Sequence, residues 1–274
     1  MDVHDDEVIK AQGHPKNQHI IKLLKHERNG RIINTKGAYF YLNAQGKYVI
    51  LSGLLPRLRK TFFPETNIFN LLKKPKVAGI KKRRRATAIP KPVKVGKGWH
   101  YGKIRGTVVH QEMEDFVLLD RKNFLKKHGS LHHLTHKILT FIIDTMKWQP
   151  LRSEFNIFDE VLGIGTSIDF IGTNEKGELI LVELKCGFTG YFDRSQGPML
   201  RSMHKLSDSP HHQANLQIIA AALLIMRHHA IPLDAMRLYV LRVDEHQVEP
   251  FEINNDYVKK KGVKFYRDLV ATSR

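Results

Sequence analysis

TSIDFIGTNEKGELILVELK, residues 166–185, is the stretch from which the rest of the architecture follows. Two apolar runs flank a polar link, Thr173-Asn174-Glu175-Lys176-Gly177, whose glycine suits a tight reversal. The runs therefore read as antiparallel strands. Successive side chains of a strand alternate faces, so Glu183 and Lys185 share one side and Leu184 takes the other. Folding the strands together brings Asp169 beside Glu183. Two carboxylates and an ammonium at the rim of an apolar sheet are costly to desolvate. A divalent cation offsets that cost, and hard cations take oxygen ligands.

The charge is unevenly distributed. Residues 1–105 hold 24 Lys and Arg against 6 Asp and Glu, whereas the remainder holds 21 of each. The whole net charge of +18 thus lies in the first part. That separation points to a polyanion-binding region joined to a neutral module. With one cysteine, Cys186, no intrachain disulfide can form. No apolar run is long enough to span a bilayer. The acidic start, Met1 to Glu7, is unlike a secretory or transit peptide, so an intracellular setting is expected, with nuclear, mitochondrial and viral contexts all open.

Outward from the central strands, a helix is predicted over about 17–27 and a hairpin over 38–52. Phe62 and Phe63 read as the core of a small lobe. Residues 73–97 are rich in lysine, arginine and proline and read as a solvated arm. Within it the run Lys81, Lys82, Arg83, Arg84, Arg85 reads as a phosphate-contacting strip, a nuclear localisation signal or a soluble tether. Helices are predicted over about 106–120 and 131–146, the second ended by Pro150. Strands follow over 152–162, 166–173 and 178–185, then a turn-rich loop to about 209, a long helix over 210–227, a strand over 236–243 and a helix near 257–269. The expected domains are a basic amino-terminal lobe (1–72), a basic linker or arm (73–99) and a catalytic domain (100–274).

Along the second part stand Gly106-Thr-Val-Val-His110, Glu154, Gly165-Thr-Ser-Ile-Asp169, Val182-Glu183-Leu184-Lys185 and His212-Gln213-Ala-Asn-Leu-Gln217. In this order and on these elements, residues 100–245 resemble the PD-(D/E)XK nuclease superfamily. More narrowly they are similar to its RecB-like and lambda-exonuclease-like branch, which includes mitochondrial genome maintenance exonucleases. The resemblance implies an α/β, restriction-endonuclease-like core: a central mixed β-sheet flanked by helices, here with a basic amino-terminal α+β lobe. It also implies a Mg²⁺-dependent deoxyribonuclease, with Mn²⁺ as a possible substitute, that hydrolyses phosphodiester bonds at DNA ends. Replication, repair or recombination is the implied setting, with DNA and a recombination or replication protein as partners.

The resemblance assigns roles by position. Asp169, Glu183, the Leu184 carbonyl and His110 are the implied metal ligands. Lys185 orients or deprotonates the attacking water. Glu154 matches the leading acid, although alone it reads equally as a surface strand glutamate. Gln213 matches a glutamine that arranges water and phosphate, but the tyrosine usual four residues later is replaced by Gln217. Glu114, one turn after His110, reads as support for the imidazole or as merely exposed. Arg201 and Lys205, in the loop before the long helix, are candidate phosphate contacts. His132, His133, His136, His228 and His229 lack the companions of a zinc site, and Cys186 reads as a packed thiol. Two other functions stay open: a structure-specific endonuclease on flapped or branched DNA, and an inactive nucleic-acid-binding module of the same fold.

Overall fold

The computed structural model describes residues 17–26, 30–35, 38–64, 99–119, 121–187, 192, 194–195 and 197–272. The basic run Lys81–Arg85 lies outside the described residues. The chain begins with α1 (Asn17–Leu24) and the strands β1 (Ile32–Thr35), β2 (Ala38–Leu42) and β3 (Tyr48–Gly53). Next come α2 (Leu54–Phe62), α3 (Trp99–Leu118), α4 (Arg121–His128) and α5 (His133–Thr140), the last continued by a π-helical turn over Phe141–Thr145. The strands β4 (Gln149–Asp159), β5 (Ile164–Thr173) and β6 (Leu179–Cys186) follow. The chain closes with α6 (Pro210–His229), β7 (Met236–Val243), β8 (Val248–Ile253) and α7 (Asn255–Ala271).

These strands form one mixed sheet in the order β1-β2-β3-β5-β6-β7-β8, with β4 paired to β5. The α/β class and the central mixed sheet flanked by helices agree with the sequence reading. β6 and β7 are parallel and connected through α6, and β6 is buried on both faces over residues 179–184. Gly172 is obligatory at the β4–β5 crossing, because a Cβ there would lie 2.7 Å from the Gln149 carbonyl oxygen. Ser209 caps α6, its hydroxyl accepting from the His212 amide, and Pro210 opens the helix without needing a donor.

One core lies between the sheet and α1, α2, α6 and α7. It includes Leu23, Leu58, Phe62, Ile168, Leu181, Leu216 and Phe265. A second, on the opposite face, includes Val109, Met113, Leu134, Phe170, Val182 and Leu184. Phe62 and Phe63 belong to the first core rather than to one of their own. Phe62 stacks on Phe265 with ring centroids 5.1 Å apart.

Several boundaries differ from the sequence reading. α3 starts at Trp99 rather than near 106, and Pro150 sits in β4 at a bulge rather than after a helix. The helix predicted over 131–146 is a shorter α5 whose last turn widens, the Met146 amide donating to the Phe141 carbonyl. α2 carries Pro56 in its first turn, where the missing amide costs nothing, so its alternating apolar and basic residues are helical.

The feature that positions the site is a fork beside β5. One edge of β5 is covered by β4, from Gln149↔Thr173 to Asp159↔Ile164. The other edge is divided. β6 pairs with residues 170–173, and β3 takes Ile164 and Gly165 in parallel. Between them, residues 166–169 have no strand on that edge among the described residues.

Candidate metal centre

Asp169 stands where β5 and β6 part. The ladder ends at Phe170↔Val182, so the Leu184 amide finds no carbonyl across the fork. The Asp169 carboxylate replaces it: Oδ2 accepts from Leu184 N–H at 2.7 Å. Asp169 thereby holds the two strands at a fixed divergence. Its backbone is fixed as well, because its carbonyl accepts from the Ser153 hydroxyl at 2.6 Å. The second oxygen, Oδ1, lies 3.6 Å from His110 Nδ1.

Glu154 reaches the same place from β4. It lies between the pairs Ser153↔Phe170 and Phe155↔Ile168, opposite Asp169. Its backbone φ of +50° is in the left-handed region, unusual for a non-glycine strand residue. Such strain persists where surrounding structure imposes it, and it concentrates at functional sites. Here it accompanies a contact between Glu154 Oε1 and His110 Nδ1 at 2.9 Å. His110 is delivered by α3, whose neighbours Val109 and Met113 are anchored in the second core. Candidate ligand atoms of His110, Glu154 and Asp169 all lie within 4.8 Å of one another. One nitrogen and two carboxylates at that separation suit a divalent transition metal or Mg²⁺.

Glu183 and Lys185 form the other half of the site. By alternation they share the face toward α6, while Leu184 packs in the opposite core. The Lys185 ammonium donates to Glu183 Oε1 and reaches Gln217 Oε1 at 3.5 Å. Glu183 is 1% exposed. Burial, reinforced by the Asp169 charge and opposed by Lys185, pushes its pKa up to about 8. Burial alone would lower His110, but Asp169 and Glu154 together outweigh it and hold the imidazole at about 9. With no cation, both groups hold a proton more firmly than usual.

The geometry gathers His110, Glu154 and Asp169 as one cluster and sets Glu183 with Lys185 beside it. It does not place Glu183 in that cluster, because its carboxylate turns to the ammonium two residues on. The Leu184 amide is bound to Asp169. Gln213 is elsewhere: its Oε1 accepts from Arg59 Nε at 3.3 Å. The glutamine that touches Lys185 is Gln217, one helical turn further along α6. Its i+4 spacing from Gln213 was the available signal, since both share a helix face. Arg201 and Lys205 are exposed at the turn Arg201–Met203, which packs against α2 and α7 rather than on the cluster. Glu114 hydrogen-bonds Gln111 at 3.3 Å, and the imidazole of His110 takes Glu154 as its partner instead.

The remaining singled-out residues have other contacts. His132 caps α5, its Nδ1 accepting from the Leu134 amide, and His228 pairs with Asp159 at 2.9 Å. Cys186 is half-buried against the second core.

No protein-family model and no curated protein matches the sequence. Among solved structures, a protein of Eubacterium rectale provisionally assigned as an exonuclease aligns at 10% identity with a TM-score of 0.36. That alignment covers 63% of this chain and 68% of the other. The protein SSO0001 aligns at 12% identity with a TM-score of 0.26, over 62% of this chain and 88% of its own. At scores this low neither similarity bears on the assignment, which rests on the residues at the fork: a mixed α/β sheet carrying a His/Glu/Asp cluster with the geometry to bind a metal ion.

Proposed function

We propose that this chain is a divalent-metal-dependent nuclease that hydrolyses phosphodiester bonds at DNA ends, in the manner of the PD-(D/E)XK enzymes. One observation carries the reading. Acids from three consecutive strands, an imidazole from α3 and a lysine meet at the opening between β5 and β6. Structural ion pairs seldom need such a cluster, and Glu183, wholly buried, is costly to hold without a compensating charge. The strong positive charge of the first 105 residues supports a polyanionic substrate.

His110, Glu154 and Asp169 would hold the cation, with Glu183 joining as its proton leaves. An imidazole nitrogen and two carboxylates whose ligand atoms lie within 4.8 Å of one another are donors of the right kind and spacing, so the site fits the group. Bound there, a divalent cation supplies Lewis acidity at the phosphate and acidifies a coordinated water. The chain's own residues do the rest. Asp169 fixes the fork through the Leu184 amide. Glu183 holds the Lys185 ammonium, and Gln217 approaches it from α6, so the ammonium is presented at the opening. There it can position the attacking water and steady charge on the phosphate. The basic amino-terminal part, including the arm at 81–85, would hold the backbone, with salt-dependent affinity.

A time course on end-labelled linear and covalently closed circular DNA, with Mg²⁺, Mn²⁺ or EDTA, tests this reading. The expected result is metal-dependent nucleotide release from linear DNA. Cutting of closed circles would replace the exonuclease with a structure-specific endonuclease. No hydrolysis with either metal would leave a binding module.

Metal loading is expected to be strongly pH-dependent. Below about 8 the cation displaces protons from both His110 and Glu183, between about 8 and 9 chiefly from His110, and above about 9 from neither. Mn²⁺ affinity should therefore rise with pH by up to roughly a hundredfold per unit below 8, more gently to 9, and then level off. Without metal the sign reverses. The folded state holds more protons than the unfolded state, so the melting temperature should fall as pH rises from 6.5 to 9. Melting curves with Mn²⁺ and with EDTA across that range check both directions.

A further inference from the structure

Next to the candidate metal cluster lies a chain of neutral polar groups from four strands. Asn156 lies two residues beyond Glu154 on β4, and Ser167 two residues before Asp169 on β5. The two face each other in register. Two residues along a strand is about 7 Å, and Tyr39, which touches Ser167, also feels the Glu154 and Asp169 charges, so these groups lie beside the acids. Ser167 Oγ donates to Asn156 Oδ1 at 2.9 Å. It lies 3.1 Å from the Tyr39 hydroxyl and accepts from Asn34 Nδ2 at 3.3 Å.

A serine hydroxyl has one hydrogen and two lone pairs. With its hydrogen committed to Asn156, Ser167 must accept from Tyr39. The order of donation then runs from Tyr39 to Ser167 to Asn156. The Asn156 amide is thereby oriented: its oxygen faces Ser167 and its nitrogen faces away, without a protein partner among the described residues. The half-buried Asn156 so offers donors beside a cluster built to take a phosphate.

The amino-terminal hairpin holds this arrangement. Tyr39 lies over Gly165, and a Cβ at that position would be 2.8 Å from Tyr39 Cβ. The ring therefore occupies the space a side chain would fill. Burial, with the Glu154 and Asp169 charges adding to it, holds the phenol pKa above its ordinary value, so the hydroxyl keeps its proton and remains a donor. A lysine in place of Asn156 would pair with the carboxylates, and an aspartate would repel phosphate. A neutral amide does neither.

We propose that Asn156 is a substrate-binding residue whose amide nitrogen donates to the phosphate next to the one being cut, and that Ser167 and Tyr39 are positioning residues that fix its orientation. This deepens the nuclease reading and rests on it. It also gives the amino-terminal hairpin a part in the site itself, besides its share of the molecule's positive charge.

The test uses the full chain with Asn156→Asp and Tyr39→Phe. Asn156→Asp keeps the acceptor for Ser167 and removes the donors, whereas Tyr39→Phe keeps the ring over Gly165 and removes the hydroxyl. Three quantities are read: KM and kcat for a 5′-labelled 20-mer oligothymidylate, anisotropy Kd for the same oligomer in EDTA, and Mn²⁺ affinity. Asn156→Asp should raise KM and the EDTA Kd about tenfold, and Tyr39→Phe about threefold. In both, kcat should stay within about twofold, and neither Mn²⁺ affinity nor melting temperature should fall. Unchanged KM and Kd would overturn the proposal. So would a rise that comes only with lost Mn²⁺ binding or a lowered melting temperature, since that marks a structural role. The EDTA binding arm separates this from failure of the metal reading: a wild-type chain that binds no Mn²⁺ sinks the nuclease assignment, while the oligomer Kd still decides the role of Asn156.

Discussion

Asp169→Asn should cut hydrolysis by about a thousandfold or more and leave the fold in place. The two oxygens of Asp169 have separate tasks. Oδ2 accepts from the Leu184 amide, and Oδ1 faces His110. An asparagine turned with its oxygen toward Leu184 retains the first task, so the fork between β5 and β6 survives. It cannot retain the second. The cluster loses one of its two carboxylates, and an amide nitrogen takes the position of a ligand oxygen. Loss of about 4 kcal/mol of transition-state stabilisation corresponds to roughly a thousandfold in rate. Mn²⁺ affinity should fall in parallel, and the imidazole of His110 should titrate lower, since the Asp169 charge is the foremost influence holding it up. Single-turnover rates, Mn²⁺ titration and the His110 proton resonance followed against pH check the three consequences. A variant retaining more than a tenth of wild-type activity would remove Asp169 from the chemistry.

Asp159→Ala should be the most damaging single change to stability outside the cores, by about 3–5 kcal/mol. Asp159 ends β4 with a side chain that is wholly buried. Its Oδ1 accepts from the Leu162 amide at 2.8 Å, which closes the turn into β5. Its Oδ2 meets His228 at 2.9 Å and Tyr266 at 3.2 Å. One carboxylate thus joins the β4–β5 turn, the end of α6 and α7. Burial pushes its pKa up, but the bonds from His228 and Leu162 and the nearby Arg227 charge outweigh this and hold it at about 2. A depressed folded-state value means the stabilisation is complete above the unfolded value near 4 and is lost as pH falls toward 2. The wild-type chain should therefore lose stability on acidification through that window, and Asp159→Ala should lose much less. Urea melts at pH 7 and pH 3 measure both effects. A loss below 1 kcal/mol at neutral pH would show that the hub carries little.

How much of this was legible in the sequence depends on how local each feature is. The strands around Asp169 and Glu183 were legible because continuous apolar runs broken by a polar, glycine-containing link have few alternatives. α6 was legible from its cap, its proline and its apolar length. β8 was not. Pro250 lies in the middle of Val248–Ile253, and a proline is tolerated there because this edge strand needs ladder bonds on one side only. α2 was not assigned, because Leu54 to Lys60 shows only an alternation of apolar and basic residues. Its helicity is set by burial of Leu54, Leu58 and Phe62 against the sheet and α6.

The site divides in the same way. Asp169, Glu183, Lys185 and His110 stood out as residues of the right kind on adjacent elements. The part played by Gln217 depends on which helical turn of α6 faces Lys185, a tertiary fact. The pairing of Glu154 with His110 depends on a left-handed backbone inside a strand, which no residue pattern announces. Asn156 and Tyr39 are joined only through Ser167, across strands far apart in the sequence. The basic run at 81–85 lies outside the described residues, so its contact with DNA stays an expectation from charge alone.

The central claim is that the fork between β5 and β6 binds a divalent cation. The most direct measurement is anomalous diffraction from crystals of the full chain equilibrated with Mn²⁺ near pH 9, where Glu183 has largely lost its proton and His110 about half of its own. We expect one strong peak at the fork, about 2.0–2.3 Å from an Asp169 oxygen, with His110 and Glu154 or Glu183 completing its protein ligands. No peak there at millimolar Mn²⁺, or a peak held only by surface carboxylates elsewhere, would contradict the claim.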